Sequence, residues 1–213
     1  FCDELPNMPQ PQTSNTFDRY YRELASRFEP NAQYVFTPYE VRNTLALLFL
    51  GQKQRALDLV HFLLDCRRPP GWQHLAEVVH SGYRFPCYIG DMPHTWVGAC
   101  FINAIRGLFI YEDADTLVLG AGIDPAWVEE GKRIRIQNAP TRFGRMNFVV
   151  ERSGESVQVE LSGDAKPSAG FVLKSPLDRP IKSATRSGNP VPVDKDNALR
   201  IESLPASIVL EYD

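Results

Sequence analysis

Near Asp113 the spacing of apolar residues changes from three-and-four to two, so the chain cannot be a single repeating architecture. Before that point the pattern is helical. Phe17, Tyr20, Tyr21, Leu24 and Phe28 predict a helix over about 15–28, capped by Ser14 or Asn15, after a Pro-rich extended arm over 1–14. Thr37 followed by Pro38 opens a second helix, about 38–50, whose "VRNTLALLFL" is apolar on most sides and stops near Gly51. A third, about 52–66, turns Ala56, Leu59, Val60, Leu63 and Leu64 inward, and "CRRPPG" ends it because prolines remove backbone donors. A short helix over 72–79 and a long one over 94–110 follow. In the long one, Trp96, Phe101, Ile105, Leu108 and Phe109 have core spacing, and Gly98 and Gly107 suggest close packing.

After Asp113 the segments are short and bounded by Gly, Pro and Asn. "TLVLGAGI" reads as a strand, and "DPAWVEEG" as one turn capped by Asp124. Strands are predicted at 132–136, 144–151, 156–161, 169–173, 181–185, 199–202 and 207–211. In "ESVQVELSG", Val157, Val159 and Leu161 face one way while Gln158 and Glu160 face the other, the mark of a half-exposed strand. The expectation is an α+β chain: a helical domain over 1–113, then a β-rich domain over 114–213 with an antiparallel, sandwich-like arrangement.

Charge narrows the partners. The net charge is −3 and no basic stripe occurs, so nucleic acid is not an expected partner. No uncharged apolar run is long enough to span a membrane. Cys2, Cys66, Cys87 and Cys100 lack metal-type CxxC spacing and read either as buried thiols or as disulfide partners. Residue 1 is Phe rather than Met, and no signal-peptide pattern follows, so a mature fragment, a cleavage product or a segment missing upstream sequence is expected.

"GWQHLAEVV", "YIGDMPHTWVGACFINAIRGLFIYED", "TLVLGAGIDPAWVEEG" and "RIQNAPTRFGRMNFVVERSG" resemble the C-terminal end of large bacterial carbohydrate-active proteins. They are similar to the six-hairpin glycosidases, in which an α/α toroid precedes a β-rich domain. The resemblance covers about 13–213 and implies that the helical part closes a toroid whose other helices lie upstream, in the same or a separate chain. It also implies an oligo- or polysaccharide partner and an extracytoplasmic or secreted bacterial setting. Two functions follow: a share in the cleft of a glycoside hydrolase-like enzyme, or a non-catalytic carbohydrate-binding or structural module beside a separate catalytic chain.

Glycosidic cleavage normally needs two carboxyl groups, one to protonate the leaving oxygen and one to act as base or nucleophile. By analogy with toroid enzymes, the loop 80–94 between two helices is a place where sugar is met, as are 29–38 and 67–73. Asp91, between Gly90 and Met92-Pro93, reads either as the cap of the following helix or as a sugar-facing carboxylate. Glu77 reads as a solvated helix residue or as part of the site, with the partner carboxylate of Asp91 expected upstream, and His94 reads as a helix-entry residue bonded to backbone or as a general base. Trp72, Gln73, Tyr88 and Trp96 are the candidate sugar contacts, since an aromatic face stacks on a pyranose while an amide takes its hydroxyls. His61, in an apolar stripe, is expected in the core. There is no HxxxH or HExxH pair and no GxGxxG or GK[ST] loop, so neither a metal nor a cofactor is expected from spacing. No catalytic residue is expected beyond 113.

Overall fold

The computed structural model describes residues 8, 10–69, 71–82 and 90–213. The chain forms two compact units, Phe1–Gly107 and Leu108–Asp213. Among the described residues, no helix is long and apolar enough to cross a membrane.

The first unit holds α1 (Gln10–Ala25), α2 (Asn43–Phe49), α3 (Lys53–Asp65) and α4 (Thr95–Phe109), whose last two residues belong to the second unit. Helix α1 starts earlier than the Ser14/Asn15 cap predicts, because Pro11 falls in its first turn, where a missing N–H costs nothing. The Thr37 Oγ1 accepts from the Tyr39 N–H, and Pro38 opens a 3₁₀ turn, Pro38–Arg42, that runs into α2. The apolar sequence of α2 is buried through Thr44, Ala46, Leu47 and Leu48. Gly51 ends it at φ 70°, with the Gly51 and Gln52 N–H groups bonding back to Leu48 and Leu47. Helix α3 buries Ala56, Leu57, Leu59, Val60 and Leu63. His61 points outward from it, so the expectation of a core histidine fails.

The predicted helix over 72–79 does not form. Residues 71–78 are irregular, and β2 (Val79–His80) pairs antiparallel with β1 (Val35–Phe36). The loop carrying β1 is held by a ring cluster of Phe28, Tyr34, Phe36 and Phe62 with centroids 5.2–5.9 Å apart. The Arg27 guanidinium lies 5.0 Å over the Phe36 ring and donates twice to Glu40, at 2.9 and 3.2 Å. The Tyr20 hydroxyl donates to the same carboxylate at 2.9 Å, so this half-buried acid is fully engaged.

The second unit contains β3 (Ile110–Asp113), β4 (Thr116–Leu119), β5 (Arg133–Thr141), β6 (Gly144–Ser153), β7 (Ser156–Gly163), β8 (Phe171–Lys174), β9 (Ser183–Arg186), β10 (Asn189–Pro190), β11 (Ala198–Ile201) and β12 (Ala206–Glu211). One sheet runs β10-β9-β12-β7-β6-β5 and the other β11-β8-β4-β3. Their inner faces share one core, including Leu117, Leu119, Phe148, Val159, Phe171 and Ile208. The first sheet is antiparallel, but β4 pairs parallel with β8, so the arrangement is mixed rather than wholly antiparallel. The "ERSGES" turn joins β6 to β7 as its Ser-Gly step predicts, with Ser153 opposite Ser156 and Gly154 at φ 59°. A bulge between Ile136 and Ala139 puts Asn138 at φ 53°, and its N–H is satisfied by Asn147 Oδ1 at 2.8 Å.

Candidate functional site

The site is built by two short backbone segments that run side by side. The Glu77 N–H donates to the Asp91 carbonyl at 3.1 Å, and the His94 N–H to the Leu75 carbonyl at 2.8 Å. The Asp91 N–H returns a bond to Glu77 Oε2 at 3.2 Å. This pairing explains why 72–79 is not helical: backbone groups of Leu75 and Glu77 are committed to 91–94 rather than along their own segment. Gly90 makes the approach possible. At φ 56°, a Cβ there would stand 2.8 Å from Glu77 Cβ and 2.9 Å from Oε2.

The pairing brings together one donor atom each from Glu77, Asp91 and His94, all within 4.8 Å of one another. Asp91 is not the cap of α4; His94 directly precedes the helix, and its carbonyl accepts from the Gly98 N–H. The Asp91 side chain is 83% exposed, while that of His94 is 14% exposed, with Nδ1 3.7 Å from Asp91 Oδ2. On its other side the imidazole is held by Tyr39, whose hydroxyl lies 2.6 Å from Nε2. Burial pushes the Tyr39 phenol above its ordinary value, with the Glu77 charge adding to the effect, so the hydroxyl stays protonated.

Tyr39 also links the cluster to its aromatic neighbour. Its ring meets His94 and Trp96 edge-on, with centroids 5.5 and 5.3 Å away, and Arg42 lies 5.1 Å over it. Trp96 is 64% exposed, contrary to its core spacing. The residues of α4 that face inward are Val97, Ala104 and Leu108, not Trp96. Tyr39 also lines a cavity of about 560 Å³ together with polar Thr37, Arg42, Asn43 and Asn103 and apolar Leu45 and Ala104. That volume is within the range of small-ligand pockets.

The other candidates are engaged elsewhere. Trp72 is 58% exposed and packs its ring against His74, with centroids 5.5 Å apart. Gln73 accepts a hydrogen bond from the Arg67 guanidinium. Tyr88 and Cys87 lie outside the described residues, as does Cys2. Cys66 and Cys100 are free thiols; burial pushes the Cys66 thiol up, which keeps it protonated. Tyr39 was not singled out from sequence. It lies directly after the Thr37-Pro38 cap, one step beyond the flagged loop 29–38.

Two carboxylates and an imidazole at this spacing can pass a proton, hold a substrate hydroxyl or share a cation. No family model matches the chain, and no curated protein does. Among solved structures, it is similar to Ara127N-Se, described as a GH127 beta-L-arabinofuranosidase from Geobacillus stearothermophilus T6. The identity is 16% and the TM-score 0.34, over 55% of this chain and 18% of that one. That neighbour is described as a glycoside hydrolase, and this chain spans less than a fifth of its length.

Proposed function

We propose that the chain supplies part of the sugar-binding cleft of a glycoside hydrolase-like protein, with Glu77 and Asp91 as its carboxyl pair. The observation that supports this is the convergence of Glu77, Asp91 and His94 within 4.8 Å beside an exposed tryptophan. Asp91, extended toward solvent, is the group able to reach an anomeric carbon; the Asp91 N–H donates to Glu77 Oε2, so Oε1 is the oxygen that would carry the proton. Their closeness suits the narrower of the two carboxyl separations, about 5 Å, which goes with retention of configuration. In that role Asp91 attacks the anomeric carbon as the leaving oxygen takes the proton from Glu77. Glu77 then deprotonates the water that releases the sugar. His94, fixed by Tyr39, faces Asp91 with Nδ1 3.7 Å from Oδ2, and Trp96 offers an aromatic face to the ring. The toroid that would complete this cleft is itself part of the proposal. Ile102, 69% exposed further along α4, gives upstream helices an apolar place to pack.

The second function, a binding module without chemistry, is favoured by the exposure of both Trp72 and Trp96. Hydrolysis of a panel of aryl glycosides and polysaccharides separates the two. On the first reading, Asp91→Asn and Glu77→Gln each lower kcat by about 10²- to 10⁴-fold with KM little changed. On the second, no substrate is cleaved, and Trp96→Ala or Trp72→Ala abolishes sugar binding.

A further inference from the structure

The carboxyl pair and His94 have a second use that the cleavage chemistry does not require. We propose that Glu77, Asp91 and His94 form a site for one divalent transition cation. The three side chains offer one nitrogen and two carboxylate oxygens, all within 4.8 Å. Donors arranged about a cation at roughly 2.1 Å stand about 3 to 4.2 Å from one another. The His94 Nδ1 to Asp91 Oδ2 separation of 3.7 Å falls inside that range and is too long for a direct hydrogen bond. The other donor separations are within 4.8 Å, and the Asp91 side chain, 83% exposed, has room to turn as the set closes.

A separate feature lies outside the three donors. A ligating imidazole characteristically donates its remote N–H to an oxygen, which fixes the tautomer that leaves the other nitrogen free for the metal. Tyr39 Oη, 2.6 Å from His94 Nε2, is placed to accept that proton and leaves Nδ1 turned toward the carboxylates. Tyr39 is in turn fixed from beyond the cluster, by the Thr37 cap at its backbone N–H and by Arg42 over its ring. The Asp91 N–H bond to Oε2 orients the Glu77 carboxylate, and the ligand-bearing segments are tied by two further backbone bonds. The donor set suits an imidazole-accepting cation such as Zn²⁺ or Mn²⁺ over Ca²⁺ or Mg²⁺, and three protein ligands leave positions open for sugar hydroxyls or water.

This inference extends the sugar-cleft reading by naming a further ligand of the same site. With the cation bound, the two carboxylates are ligands rather than proton carriers, so the loaded chain holds sugar without cleaving it. The test is calorimetric titration of the metal-stripped full chain with Zn²⁺ alone, repeated with Mn²⁺ and Ca²⁺ and without any sugar. One Zn²⁺ per chain is expected, with Ca²⁺ at least about tenfold weaker. Asp91→Asn and His94→Gln should each weaken Zn²⁺ at least about tenfold, and Tyr39→Phe about 10- to 100-fold through loss of the proton acceptor. Circular dichroism of each variant verifies folding, and Asp91→Asn, on an exposed side chain, carries the result if His94→Gln does not fold. Absent binding, or Zn²⁺ binding that Asp91→Asn leaves unchanged because thiols hold the ion, overturns the inference. Hydrolysis and sugar binding are assayed separately in chelator, so a failed cation site leaves the sugar-cleft reading standing, and the reverse also holds.

Discussion

Gly90 and Gly98 flank the site with opposite meanings. Gly90 combines a left-handed φ of 56° with a Cβ position 2.8 Å from Glu77 Cβ, so Gly90→Ala should push Glu77 off Asp91 and abolish cation binding. Gly98 lies in α4 with nothing within 4 Å of its missing Cβ. Gly98→Ala should therefore raise the stability of the helical unit by about 0.5–1 kcal/mol, read from chemical denaturation, and leave the site unchanged. A destabilised Gly98→Ala, or a Gly90→Ala that still binds Zn²⁺, contradicts this assignment. The close packing expected of both helix glycines occurs at Gly107, where a Cβ would lie 2.2 Å from Leu45 Cδ2, and not at Gly98. Sequence shows that a helical glycine carries a cost but not which neighbour requires it. Asp91, Glu77 and His94 could each be nominated from local chemistry. Their meeting depends on a pairing between 75–77 and 91–94 that no periodicity records, and Tyr39 reaches His94 from 55 residues away.

The elements divide by how much of their stability is local. Strand β7 was legible because its alternation survives intact: Val157, Val159 and Leu161 are buried between β6 and β12, while Gln158 faces solvent. Leu161→Ala should cost about 2–5 kcal/mol and Gln158→Ala less than about 0.5 kcal/mol. Equal costs would mean the sheet is not packed on one face as described. The segment "WQHLAEVV" misled for the converse reason. Trp72, Leu75, Ala76 and Val79 have helical spacing, yet Pro69, Pro70 and Gly71 precede them and tertiary pairing takes their backbone groups. The short strand β3 was missed because it continues directly from α4, and the parallel β4–β8 pair because strand direction across a long connection leaves no trace in alternation.

At the scale of the whole molecule, each unit carries buried phenols that set a common response to alkali. Desolvation raises Tyr20 in the helical unit and Tyr111 in the β-rich unit well above the ordinary phenol. Tyr212 is pushed up to about 12 by burial, and Tyr21 to about 12 chiefly by its hydrogen bond to Asp58. A folded pKa above the unfolded one means that the unfolded chain releases its proton first. The stability these groups contribute is therefore complete below pH 10; that of Tyr21 and Tyr212 is lost as pH rises from 10 through about 12, and that of Tyr20 and Tyr111 goes on falling above this window. Tyrosinate absorbance of the native chain should lag behind that of the chain in urea across this window; coincident curves would contradict it.

The most direct test of a sugar cleft at Glu77, Asp91 and Trp96 is binding of the full chain, in chelator, to an immobilised panel of oligo- and polysaccharides, compared with Trp96→Ala and Asp91→Asn. The expected result is binding to a defined glycan class that Trp96→Ala weakens at least about tenfold and Asp91→Asn largely preserves, because Asp91 acts on the bond rather than on the sugar as a whole. A folded wild-type chain that binds no glycan, or one whose binding is indifferent to Trp96, would contradict it.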